Sequence, residues 1–325
     1  LERAAHSLAG ESGPAGTIAI VTGFCVVDAA KPAGETDGPP GALYLARALA
    51  ALGRRVLLIS DSFGLPLLEC GVDRWQLGRE TLVEFPFEAG PPDGAGRSSN
   101  AGENNPITDG WLHRFFREGP GRELSHLIST ERVGPSHTPE SLAAQPREGT
   151  GDAPLDLFEA EVPAADRNAC HNMRGLDITG YTAKTHRLFE IAREQPRPIV
   201  TIGIGDGGNE LGLGSIRWET LREAVKFSPG ARIACRIATD HTILAGVSDW
   251  GAYALAAAVC TLDGKRDLLN SWNGDGQRDL IEALIRETDA VDGATKLRQA
   301  TVDGLPLETY LEALAGIRRL MGHDP

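Results

Sequence analysis

The sequence predicts an α/β fold, a mostly parallel sheet with helices on both faces, and three observations carry that prediction. Short apolar, β-branched runs alternate along the chain with longer segments of helical periodicity. The first two runs, TIAIVTGF (17–24) and RVLLISD (55–61), bracket a helical stretch, which is the strand–helix–strand unit of a parallel sheet. A third run, IVTI (199–202), breaks into GIGDGGNELGLG (203–214), a glycine-dense turn suited to close backbone approach at a sheet's carboxyl edge. Together they describe a three-layer, Rossmann-like arrangement, read as a single unit over residues 1–325 with no internal repeat.

The first helix begins at Pro39-Pro40, where proline is tolerated in an opening turn. It keeps Leu43, Leu45, Leu49 and Leu52 on or near one face and stops at Gly53. A helix over 62–70, a strand over 81–87, a helix over 108–118 and the strand SHLISTER (125–132) follow. Residues 90–105 and 134–170 are rich in Gly, Pro and polar residues and read as irregular excursions, with at most a short helix at 139–144. A helix over 183–194 feeds the strand at 199, and a further helix is expected from about Asn209. Then come a helix over 216–227, the strand ARIACRIATD (231–240) and an Ala-rich helix with Ser248 and Asp249 at capping positions. An amphipathic helix over 277–288, an extended turn over 302–306 and a last helix over 307–321 complete the chain.

Composition excludes several functions. With 32 basic and 45 acidic residues the net charge is −13, which argues against nucleic acid or an anionic membrane as partner. No apolar run approaches the roughly 18 residues of a membrane span, and the opening LERAAHSLAG lacks the cationic start and apolar core of a signal peptide. Five scattered cysteines show no CxxC spacing, so a reducing, cytoplasmic setting is expected. A homo-oligomer is compatible with all of this.

Ligands of open α/β sheets bind beyond the carboxyl ends of the strands. Four predicted strands end on or beside an acid, Asp61, Glu131, Asp206 and Asp240, and Asp37 joins them from the loop after the first strand. Clustered carboxylates need a cation or shifted proton affinities to coexist. Asp206, Glu210 and Asp37 are therefore candidate ligands of Mg²⁺ or Mn²⁺. Backbone N–H groups at Gly207, Gly208 and Asn209 are expected to face an anion at the start of the helix near Asn209. Arg132, Arg174 and Lys184 are candidates to clamp a substrate carboxylate. No organic cofactor is expected, because the glycine pattern at 203–208 lies late in the chain and carries an acid. His171 and His186 are read as surface histidines, without paired ligand spacing.

Six blocks in order resemble the D-glutamate cyclase family, specifically its C-terminal domain, over about residues 17–320. They are Glu35-Thr36-Asp37-Gly38-Pro39-Pro40-Gly41-Ala42, Glu131-Arg132-Val133-Gly134, Asn172-Met173-Arg174-Gly175 with Asp177, Gly203 to Gly212, Ala245 to Leu255, and Asp303-Gly304-Leu305-Pro306. The resemblance implies conversion of D-glutamate to 5-oxo-D-proline and water. That chemistry needs a base, an acid and a hold on the α-carboxylate, so Glu131 is the expected proton carrier, Asp206 with Glu210 and Asp37 the expected metal ligands, and Arg132 or Arg174 the expected hold. Gly38, Asn172, Gly207, Gly208 and Asn209 complete the expected substrate contacts. Two rival readings stand beside it. IGDGGNE (204–210) also looks like the fourth motif of haloacid-dehalogenase-type phosphatases, although no DxDxT follows the first strand. The third reading is a non-catalytic domain that binds a small acidic metabolite.

Overall fold

Six of the apolar runs pair into one sheet in a computed structural model that describes residues 1–9, 16–87, 105–147, 152–225, 229–269 and 272–322. In chain order they are β1 (Thr17–Thr22), β2 (Arg55–Ser60), β3 (Leu82–Glu84), β4 (Leu124–Thr130), β5 (Val200–Gly205) and β6 (His241–Leu244). Their spatial order is β3-β2-β1-β4-β5-β6, and every neighbouring pair is parallel. This is the doubly wound order that reverses direction between β1 and β4 and opens a crevice there.

The longer helices are α1 (Pro39–Ala51), α2 (Leu65–Trp75), α3 (Pro106–Arg117), α4 (His186–Glu194), α5 (Ser248–Leu262), α6 (Gly274–Glu287) and α7 (Leu307–Leu320). Because side chains alternate along a strand, the two sheet faces build separate cores. Ile18, Ile20, Val56, Leu58, Ile202 and Ile204 pack under α1, α2, α5, α6 and α7. Ala19, Val21, Leu57, Ile59 and Leu127 pack under Leu112, Phe115 and Phe116 of α3 and Leu188 and Phe189 of α4. The expected three-layer α/β fold is what the chain adopts.

Four local expectations fail, each for a packing reason; the excursion at 134–170 holds a second helix, Leu155–Glu161, seated through Phe158 against Trp218. Residues 231–240 do not join the sheet: Gly230–Ile233 is a short helix and the strand begins at His241. The alternation of Ile233, Cys235 and Ile237 is real, but the backbone there pairs with the glycine-rich loop, through Cys235 N to Gly208 O (3.0 Å) and Gly212 N to Ile237 O (2.9 Å). Asp240 consequently precedes β6 and accepts from the N–H and hydroxyl of Thr201 at the amino end of β5, away from the carboxyl edge. No helix starts at Asn209 either; residues 206–214 form bridged turns, and the next helix is Trp218–Ala224. Finally, α2 starts later and ends later than expected, with Asp61 Oδ1 accepting from the N–H groups of Phe63 and Gly64 before it. The expected excursion at 90–105 lies outside the described residues except for Asn105, whose side chain caps α3.

Candidate functional site

The carboxyl ends of β1, β4, β5 and β6 converge on a pair of helix starts. Both α1 and α5 begin at this edge, so each presents unpaired N–H groups and the positive end of its dipole. Each is capped by an acid from the other's neighbourhood. Asp37, just before α1, accepts from the N–H groups of Ser248 (3.1 Å) and Asp249 (3.0 Å) at the start of α5. Asp249 in turn accepts from the N–H groups of Gly38 (3.0 Å) and Gly41 (2.6 Å) at the start of α1. Its other oxygen accepts from the Tyr310 hydroxyl (2.7 Å), which meets the Tyr253 hydroxyl. The local caps expected of Ser248 and Asp249 are thus crossed between helices.

Glu131 follows β4 with a left-handed backbone (φ 45°), a conformation that costs energy outside glycine. The hydroxyl of Ser248 donates to its Oε2 (2.6 Å), and its own N–H donates to Ile204 O of β5 (3.3 Å). Gly38 lies against it with φ +94°; a Cβ there would stand 2.7 Å from the Glu131 Cβ, so only glycine fits. Asp206 leaves β5 into the same space. Oxygens of Asp37, Glu131 and Asp206 all lie within 4.8 Å of one another.

A cavity of about 270 Å³ opens beside this trio, lined by Glu35, Glu131, Asp206, Asp303, Asn172 and Arg174 among others. A larger cavity of about 730 Å³ lies near Lys184 and Arg236, and none of these strand-end acids lines it. Convergent chemistry, rather than size, makes the smaller one the candidate. Lys184 therefore belongs elsewhere. Arg174 sits at the rim, its guanidinium donating to Asp28 Oδ2 (3.3 Å) and Ala294 O (3.3 Å).

The expected roles of several residues meet different surroundings. Arg132 is 1 % exposed and meets partners that Glu131 does not share. Its guanidinium donates to Asp61 Oδ2 (2.5 Å), Gly23 O (2.7 Å), Ala183 O (3.1 Å) and the Thr185 hydroxyl (3.0 Å). It clamps the chain behind the site and is not among the residues lining the cavity. The N–H groups of Gly207 and Gly208 do not face outward for an anion; both donate to the Glu210 carboxylate at 2.7 Å. Glu210 lines the cavity but ties its own loop, and the clustered oxygens come from Glu131 in its place. Asn209 donates from Nδ2 to His171 O (2.9 Å), while its Oδ1 is buried without a partner among the described residues. His171 is fully buried, contrary to its surface reading, and burial lowers its proton affinity.

Sequence reasoning gave no role to Glu35 or Asp303 and only a capping role to Ser248, although all three stood in the quoted blocks. Asp303 has φ 52° and shares a two-residue turn with Gly304, which is the available local signal. Asp292 fixes that turn by accepting from the Gly304 N–H (2.8 Å).

Burial dominates the electrostatics. It pushes Asp37 and Glu131 well above the usual carboxylate range, with neighbouring acids adding to the effect. Asp206 is pushed up to about 10 by burial, then by Glu210 and Asp303. Asp303 rises to about 6 through burial, tempered by its hydrogen bond with Asp206, a contact that requires a proton between two carboxyl groups. Asp206 Oδ2 is buried without a partner among the described residues. An acidic trio with an unsatisfied oxygen fits a hard divalent cation, whose charge would replace those protons.

The model of the family described as D-glutamate cyclase-like, C-terminal, matches residues 1–148 and 157–318. The chain is also 30 % identical over 250 residues to the human protein named D-glutamate cyclase, mitochondrial, covering 76 % of this chain and 33 % of that protein. It thus spans about a third of the length of that relative. The match runs through the strand-end loops that build the acidic cavity, and the chain belongs to the D-glutamate cyclase-like, C-terminal family.

Proposed function

We propose that this chain is a lyase that closes D-glutamate to 5-oxo-D-proline with release of water. The observation that carries the reading is the meeting of Asp37, Glu131 and Asp206 oxygens within 4.8 Å beside a small cavity, in a chain of this family. Closure forms a C–N bond from the α-amine to the γ-carboxyl carbon and breaks one C–O bond there. Two protons must leave the ammonium and reach the departing oxygen. The site therefore needs groups that hold protons near neutrality and a counter to the charge of two substrate carboxylates.

Asp37, Glu131 and Asp206 are the residues that would hold a Mg²⁺ or Mn²⁺ ion, which would supply Lewis acidity toward the γ-carboxyl. Ser248 steadies Glu131 through one oxygen, and the start of α5 steadies Asp37. With Glu131 in that trio, proton carriage falls to Asp303, which lines the cavity and whose affinity near 6 suits a shuttle at cellular pH. Arg174 holds the α-carboxylate at the rim, while Arg132 and Asp61 position the loop that carries Glu131. Unpaired cysteines suit a reducing compartment such as the cytoplasm.

The test is turnover of D-glutamate and L-glutamate followed by NMR, with Mg²⁺ or Mn²⁺, for the wild type and two variants. Asp206→Asn should abolish both ion binding and lactam formation. Asp303→Asn should lose turnover while still binding the ion. A wild type that forms no lactam with either ion, or an Asp206→Asn enzyme of undiminished activity, refutes the reading.

A further inference from the structure

Glu35 stands apart from the other acids around the cavity. It is 7 % exposed, lines the cavity, and has no hydrogen-bond partner for its carboxylate among the described residues. Its neighbours each have at least one oxygen engaged. Asp37 takes two N–H groups from α5, Glu131 takes the Ser248 hydroxyl, Glu210 takes its own loop, and Asp303 meets Asp206. A carboxyl group at the cavity wall without a protein donor is open to the donor that a ligand brings.

The backbone presents Glu35 deliberately. Its N–H donates to Phe24 O (3.0 Å), and the next residue, Thr36, donates to Val291 O (2.9 Å), while Val291 N–H returns to Gly34 O (3.0 Å). Two residues on, Gly293 makes room for the side chain. A Cβ at 293 would lie 1.8 Å from Glu35 Oε1 and 2.3 Å from its Cδ. The obstructed atoms are the end of a flexible side chain, so a methyl there would move the carboxylate without breaking the backbone.

Charge around the cavity is lopsided. Among the described residues that line it, Arg174 is the cation, and it lies at the exposed rim; Asp28, Glu35, Glu131, Asp206, Glu210 and Asp303 are acidic. A cationic group matches that layout where it meets an acid that has no other task, and a molecule's anionic ends then fall to Arg174 and to the cation that the trio would hold. We propose that Glu35 receives the α-ammonium of the substrate and makes the site select an acidic amino acid over a dicarboxylate lacking the amine. The inference rests on the proposed D-glutamate reading and adds the group that recognises nitrogen. An N-acylated glutamate, which has no cation to offer, is excluded by the same contact.

The experiment compares the KM for D-glutamate with the inhibition constant of glutarate, which keeps both carboxylates and lacks the amine. Wild type, Glu35→Gln and Gly293→Ala are measured with one ion at fixed concentration, and thermal melts verify that each variant is folded. A hydrogen bond to a charged group implies that Glu35→Gln raises the KM for D-glutamate by roughly 10- to 100-fold. The inhibition constant of glutarate should stay unchanged, and Gly293→Ala should raise the KM in the same direction with the charge retained. A Glu35→Gln enzyme that keeps its preference for D-glutamate over glutarate overturns the inference and leaves the proposed reaction standing. A wild type with no D-glutamate turnover overturns both.

Discussion

At the scale of single residues, the site is a collection of carboxylates whose proton affinities were raised by burial. Asp303 stands near 6, Asp249 near 7 and Asp206 near 10. An unfolded Asp titrates at about 3.9. Between the unfolded and folded values the native chain binds more protons than the unfolded one, so stability falls as pH rises through that window. The ion-free protein should therefore melt at a lower temperature at pH 9 than at pH 7, and Asp206→Asn should flatten that decline. A calorimetric scan series at both pH values checks this, and a melting temperature that climbs toward pH 9 contradicts it. Buried His126 and His137, both lowered to about 4, act below about pH 6.5, while buried thiols such as Cys170, pushed up to about 12, add the same alkaline decline to wild type and variant alike.

Adjacent positions explain what could and could not be read from sequence at this scale. Glu131 and Arg132 look equally functional in ERVG, yet one lines the cavity and the other is enclosed behind it. Nothing local tells them apart, because the difference is set by Asp61, Gly23 and Ala183, which arrive from distant parts of the chain. Arg132→Met should destabilise the fold by about 3–5 kcal/mol, since it leaves the buried Asp61 charge without its partner. Urea unfolding measures the loss; a variant within about 1 kcal/mol of wild type would mean that Asp61 finds another donor.

At the scale of elements, the crossed caps of α1 and α5 are the device that fixes the site. Each acid satisfies the other helix's free N–H groups, so the two helices are locked at their starts as well as along their length. Gly38 sits at the crossing, and Gly38→Ala would both strain a φ of +94° and press on Glu131. That variant should lose most D-glutamate turnover, and retention of near-wild-type kcat would show that Glu131 can shift without harm. Tyr310→Phe removes the donor to Asp249 Oδ2 and should cost roughly 1.5–3 kcal/mol by chemical denaturation. A cost near zero would mean that the Tyr253–Tyr310 pair does not hold the cap. Element type was mostly legible because period and turn residues are local signals. The stretch 231–240 was misread because an alternating pattern marks an extended segment with one face buried, whichever backbone partner supplies the hydrogen bonds.

For the molecule as a whole, the sheet order β3-β2-β1-β4-β5-β6 explains why acids from four separate loops meet. The order reverses between β1 and β4, and the loops after those strands supply Asp37 and Glu131; β5 and β6 add Asp206 and the start of α5. Strand ends and the loop after β1 foretold the meeting of Glu131, Asp206 and Asp37, but not that Asp240 sits at the opposite edge and Asp61 behind the site. Which acids bring their oxygens together was not legible, because Glu210 and Glu131 differ only in what their oxygens meet after folding. Among the described residues, no helix is long and apolar enough to cross a membrane.

The central claim is that Asp37, Glu131 and Asp206 act as one cation-holding floor. Its most direct test is a calorimetric Mn²⁺ titration of the wild type beside Glu131→Gln, Asp206→Asn and Arg174→Ala. The account predicts one site per chain in the wild type and in Arg174→Ala, with binding lost in both acid variants. Undiminished binding in either acid variant, or no binding by a folded wild type, would contradict it.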